Sequence, residues 1–307
     1  AVISATEAMH YLHNIIHAVP VFWATIGLLT FFLMLAILGI SESAIVAIVI
    51  FIIHMVSMAM LLFVGGWFVF NHGFDVFTTN FRMPVEGGIV TALFLGFCTA
   101  MLGISGFESS ANFVEEQQKG VFRKTLRNMW IAVTVINPLM GLIATMVLPM
   151  AEVAQHKEAL LSHIGDKAAG NWMSMLISMD AVLVLSGAVL TSYVGVGGLI
   201  KRMTLDRVLP QFLLKENKRG STHRILIVFF LLCLSVLFVT RGEIGPLAGV
   251  YTISFLAVMI YFGYGNFLLK IKRRALPRPE YAPAYVVAIA VFALVAALYG
   301  NIKMNPS

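Results

Sequence analysis

Eight apolar runs, each close to the length that crosses a bilayer, alternate along this chain with short basic stretches, and that alternation restricts the fold to a bundle of membrane helices. The runs are Val19 to Ile40, Ala44 to Phe70, Gly88 to Phe107, Trp130 to Met150, Trp172 to Ile200, Ile225 to Val239, Leu247 to Leu269 and Tyr285 to Tyr299. Sixteen of the 21 lysines and arginines fall in Lys119 to Arg127, Lys201 to Arg224 and Lys270 to Arg278. Positive loops are retained on the cytoplasmic side during insertion, so these three stretches are expected to face the cytoplasm. Eight crossings then leave both ends on the extracellular or lumenal side. The other five basic residues, Arg82, Lys157, Lys167, Arg241 and Lys303, all lie in segments assigned to that outer side.

Composition excludes other classes. Hydrophobic residues make up 59% of the chain and charged residues 12%, with a mean hydropathy of +0.90. A soluble domain uses about twice that charged fraction. The net charge of +6 is divided among loops separated by spans, so it does not form the continuous face a nucleic-acid partner needs. Contact with anionic lipid head groups accounts for it instead. Cys98 and Cys233 sit inside apolar runs and read as small hydrophobic residues. The first run is not preceded by a basic region or a cleavage-type site, so it is not a signal peptide, and upstream residues are expected. His10, His13 and His17 share one helical face; without a cysteine or paired carboxylate they read as interfacial residues, and no metal site is assigned. The outer segments 71–87 and 152–171 are polar, and Glu152 to His163 is expected to form a surface helix.

Ionisable or helix-breaking residues inside a span are candidates for function, because lipid penalises them. The third run ends Gly103-Ile104-Ser105-Gly106-Phe107-Glu108-Ser109-Ser110, a poor continuous helix. Either its backbone breaks to line a cavity and expose peptide groups to a solute, or Gly103 and Gly106 form a close-packing face and Glu108 lies in the interface. His54, with Ser57 beside it, stands about ten residues from the cytoplasmic end of the second run. It is either a neutral hydrogen-bonding partner of another helix or a group that takes up a proton. Asn137-Pro138 frees a backbone carbonyl and is expected to bend the fourth run. Asp180 in the fifth run fits an outer vestibule and an interhelical hydrogen bond equally. Ser186, Thr191 and Ser192 stand among glycines, where small residues permit close helix packing and hydroxyls can also bind sodium.

Three ordered motifs resemble the amino acid-polyamine-organocation (APC) permeases. Phe97 to Glu116, FCTAMLGISGFESSANFVEE, resembles that family's sixth helix with its break and acidic pair. Thr191 to Gly220 resembles the end of the eighth helix and its loop, with Arg202, Asp206, Pro210, Phe212, Asn217 and Arg219 in the family's order. Asn266 to Arg274 resembles the tenth helix entering its basic loop. The resemblance runs from the family's fourth helix to its eleventh. It implies an all-α polytopic membrane protein with an inverted-repeat, five-plus-five helix transporter fold, here lacking helices one to three and twelve. Residues 1–18 are then an outer lead-in, 19–70 two spans of the first repeat, 88–269 the five spans of the second repeat, and 285–299 an additional span.

The same resemblance implies site residues. Gly103, Ile104, Ser105, Gly106, Phe107, Glu108 and Ser192 would bind substrate. His54, Thr191 and Ser192 would couple transport to H⁺ or Na⁺, His54 standing where proton-coupled relatives carry a lysine. Leu102 and Ile104 replace the aromatic gate of several relatives. The expected function is secondary active transport of amino acids or related amines by alternating access, with no cofactor beyond the coupling ion. The alternative is a non-transporting permease-derived subunit of a larger membrane complex. Expected partners are the substrate, membrane lipid, and either the missing N-terminal helices or other membrane subunits. No nucleophile and base pair or phosphate loop supports an enzyme.

Overall fold

The computed structural model describes residues 1–39, 44–84, 87–107, 110, 117–273 and 281–305. Among them are twelve α-helices and no strand. They are α1 (Val2–Ile15), α2 (Val21–Ile37), α3 (Ala44–His72), α4 (Asp75–Phe81), α5 (Gly88–Ala100), α6 (Val121–Val147), α7 (Met150–Gln155), α8 (Leu160–Ala169), α9 (Asn171–Leu205), α10 (His223–Val239), α11 (Ile244–Lys272) and α12 (Ala284–Met304). Every apolar run contains one of these helices. Five, α3, α6, α9, α11 and α12, are long and apolar enough to cross a membrane. Three shorter apolar stretches, Val21–Ile37, Gly88–Ile104 and His223–Val239, complete the set. A 17-residue helix such as α2 reaches about 26 Å at 1.5 Å per residue, slightly less than the roughly 30 Å hydrocarbon core.

The boundaries differ from the expected ones mainly in the basic stretches. Arg123, Lys124 and Arg127 lie within the first turns of α6, and α9 runs on through Lys201 and Arg202. Arginine and lysine are good helix formers, so a helix continues past the apolar run until Gly or Pro stops it. Pro138 lies inside α6, which remains one helix from Val121 to Val147. The 152–163 segment, expected to form one surface helix, forms parts of two short helices, α7 and α8, because Ala159 takes a left-handed conformation with φ of 56° just before α8.

The chain divides into two compact units, residues 1–83 with 107–244 and residues 84–106 with 245–307. In the first, the 35-residue α9 is the axis against which α1, α2, α3, α8 and α10 pack. One end of this unit is closed by Leu61, Ile143, Leu148, Ile164, Met173 and Ile177, all buried. The other is closed by Leu29, Val189, Tyr193, Leu226 and Cys233. Several polar groups inside are paired across helices. The Tyr193 hydroxyl donates to the Leu29 carbonyl at 3.0 Å. Asn14 Nδ2 donates to Ser162 Oγ at 2.8 Å and to Ser178 Oγ at 3.1 Å, tying α1, α8 and α9 together.

Side chains from loops satisfy the open carbonyls that helix ends leave behind. Asn80, from α4, donates to the carbonyls of Thr145 and Leu148 at the end of α6. Asn217, one of the loop residues that carry the family resemblance, donates to the Ile37 carbonyl at the end of α2, and Ser221 donates to Ala36. Arg224 of the same region donates to the Phe212 carbonyl at 2.9 Å.

The second unit holds α5, α11 and α12. Cys98, Phe255, Leu256 and Ala297 form its buried centre. The Asn301 amide is buried and donates to the Cys98 carbonyl at 2.9 Å. The helices α5 and α12 approach so closely at Gly300 that a Cβ there would stand 2.3 Å from Cys98 Sγ. Gly300→Ala is therefore expected to destabilise the protein in detergent by about 1–3 kcal/mol. Gly265→Ala, where an added Cβ meets nothing within 4 Å, should leave the thermal midpoint unchanged or raise it.

Candidate functional site

The break anticipated at the end of the third run is present. The α-helix stops at Ala100, Met101–Ile104 tightens into a 3₁₀ turn, and Ser105 is extended with ψ of 159°. Gly106 follows with φ of 102°, a conformation that suits glycine because any Cβ would collide with the backbone. Gly103 and Ile104 thus lie in the 3₁₀ turn, Ser105 and Gly106 in the non-helical link, and Phe107 is helical again. Glu108 lies outside the described residues.

The second feature joins two residues that sequence reasoning treated separately. His54 of α3 donates from Nδ1 to Asp180 Oδ2 of α9 at 2.8 Å. Asp180 is almost fully enclosed, at 3% side-chain exposure, while His54 is 33% exposed. The other carboxylate oxygen, Oδ1, is buried without a hydrogen-bond partner among the described residues. His54 lines a cavity of about 460 Å³ with Phe32, Phe51, Ser186 and Thr191. Asp180 lines a second cavity of about 580 Å³ with Ser57, Met60, Trp172 and Met179. Leu183 lines both. Of the two explanations open for Asp180, the interhelical hydrogen bond is the observed one. Its pairing with His54 was not legible in the sequence, since the two are 126 residues apart.

The hydroxyls of α9 are committed locally as donors. Thr191 donates to the Gly187 carbonyl at 3.0 Å and Ser192 to Ala188 at 2.7 Å. Thr191 shares the cavity of His54; Ser192 is half-buried and does not line it.

A family model described as amino acid permease matches residues 1–306. The chain belongs to the amino acid permease family. It is accordingly an integral, multi-pass membrane protein of the APC superfamily. It is also similar to the branched-chain amino acid permease BcaP of Bacillus subtilis (strain 168), at 24% identity over 253 residues, or 81% of this chain and 52% of that protein. The chain spans about half the length of this curated relative.

His10 and His13 of α1 and His17 just after it do not converge. His10 Nδ1 pairs with Glu158 Oε2 at 3.0 Å, whereas His13 and His17 stack on each other at 5.9 Å between ring centres. Among the described residues no group of three or more His, Cys, Asp or Glu is placed to hold a metal ion. Near His10, burial and then the Glu158 charge push the Glu7 carboxyl up from 4.5 to about 7. Burial pushes His10 down, against the pull of Glu158.

The two groups act oppositely on stability. Glu7 holds its proton more tightly when folded, so its contribution is complete below pH 4.5 and is lost as pH rises through about 7. His10 favours the folded state above 6.5, and this contribution is lost as pH falls. The thermal midpoint of the wild type is expected to fall relative to that of Glu7→Gln as pH is raised from 4.5 to 7. Parallel curves for the two proteins would show that Glu7 is not a buried carboxyl.

Proposed function

We propose that this protein carries amino acids or related amines across a membrane by secondary active transport with alternating access. The observation that carries this reading is the interrupted segment from Met101 to Gly106 within an otherwise apolar helical stretch. In lipid, non-helical backbone persists only where it is covered by protein or lines a cavity, and exposed peptide groups there can hold the polar end of a solute. Gly103, Ile104, Ser105 and Gly106 make up the segment that the solute would meet. Backbone dipoles bind more strongly in a dry cavity than in water, so few contacts suffice.

The basic stretches at 119–127, 201–224 and 270–278 face the cytoplasm in this reading. The coupling ion is H⁺ or Na⁺, acting at His54 with Thr191 and Ser192. The name of the Bacillus relative makes leucine, isoleucine and valine the first substrates to test.

The complete protein in liposomes should take up one or more labelled amino acids when a proton or sodium gradient is imposed. Gly106→Ala forces a side chain into a strained conformation costing about 1–3 kcal/mol, so uptake should fall about tenfold or more. Gly96→Ala, where an added Cβ meets nothing within 4 Å, should transport normally. Folded protein that moves no amino acid under any gradient would instead support the non-transporting subunit.

A further inference from the structure

We propose that His54 and Asp180 together form a proton-binding site inside the membrane, and that Asp180 is the partner against which the driving proton is held. The inference rests on the transport reading for the second of these statements only. His54 lies ten residues into α3 and Asp180 nine residues into α9, about 15 Å and 14 Å from those helix starts at 1.5 Å per residue. Both residues therefore lie well within helices long and apolar enough to cross a membrane.

The chemistry follows from the enclosure of Asp180. With a proton shared across the 2.8 Å contact, imidazole and carboxylate sum to no net charge. When the proton leaves, a carboxylate remains whose Oδ1 already has no partner and whose Oδ2 faces only a neutral ring. An unpaired buried charge is strongly destabilising, so the empty pair favours reloading or a change in the packing of α3 on α9. Proton occupancy and helix arrangement are thereby linked. The two residues also open on different cavities, His54 on one and Asp180 on the other.

Among the described residues, the ionisable groups on the helices packed against α3 and α9 are placed or paired elsewhere. Of the helices packed against α3 or α9, α2 has no ionisable side chain. Those of α6 are Arg123, Lys124 and Arg127, in its first two turns. On α1, His10 pairs with Glu158, whose charge also acts on Glu7. His13 stacks on His17, and Tyr11 packs in the core. On α8, Lys167 pairs with Glu152 and His163 faces it, while Asp166 lies near that helix's end. On α10, His223 and Arg224 begin the helix and Cys233 is in the core at the other end of the unit. On α9 and α3 themselves, Lys201, Arg202 and His72 are in the last turns, and Tyr193 bonds Leu29.

The test uses the complete protein and Asp180→Asn, which keeps the shape and an acceptor for His54 but removes the charge. In liposomes, Asp180→Asn should lose gradient-driven accumulation at least tenfold more than it loses exchange of substrate at equal concentrations, which needs no net proton movement. Its uptake should also become insensitive to pH. Accumulation and a pH profile equal to wild type would overturn the proposal and leave a structural hydrogen bond. Wild-type uptake indifferent to pH and to the proton gradient would overturn the driving role.

Independently of transport, the ring-nitrogen NMR signals of His54, assigned by their absence in His54→Gln, should change with pH and follow a different course in Asp180→Asn. Identical courses overturn the site even if the protein transports. A wild type that moves no substrate counts against the transport reading alone, and the NMR then decides the site. Should Asp180→Asn fail to fold, Asp180→Glu serves in both measurements, and an unchanged His54 signal and pH profile would again overturn the proposal.

Discussion

Hydrocarbon offers no hydrogen-bond partner to a peptide group, and this absence governs most of the structure. Each apolar run must satisfy its own backbone, so each becomes helix. Where a ladder ends, a side chain takes over: Asn80 closes the carbonyls at the end of α6, and Asn217 with Ser221 does so at the end of α2. Against that background the segment from Met101 to Gly106, which leaves the α-helical ladder at the end of an apolar run, stands out.

The same constraint explains how α9 can serve as an axis. A helix of 35 residues meets five others in the first unit, and the contacts that are not apolar are fully specified polar ones. Asn14 with the serines 162 and 178 is such a knot, as is the Tyr193 hydroxyl on Leu29. Asp180 is different. It is as enclosed as Ser162, Ser178 and Tyr193, yet one of its oxygens lacks a partner among the described residues and its bond to His54 involves a side chain that can change charge. Buried polar groups that serve only architecture are normally satisfied in full.

Much of this was legible in the residues themselves. Run length and hydropathy located all eight apolar helices, and the glycines and serines after Ala100 marked the interruption that the backbone then displays at Ser105 and Gly106. The motif positions that resemble the APC family, Asn217 in particular, have a local physical task in capping α2. What could not be read were features made by contacts between distant segments. The splitting of the 152–163 region into α7 and α8 depends on a single left-handed residue, Ala159, which nothing in its side chain announces. The histidines of α1 share a face, yet one of them finds Glu158 and the other two find each other.

The sequence by itself determined class and family: apolar runs of spanning length, basic stretches between them and ordered motifs are local or nearly local patterns, and local patterns suffice to choose helix over strand and membrane over water. Only the tertiary structure decided what the ionisable residues inside those helices do. His54 and Asp180 lie 126 positions apart, on helices whose relative rotation and depth are set by packing, and a charge becomes meaningful in a low-dielectric interior only when its neighbour is known.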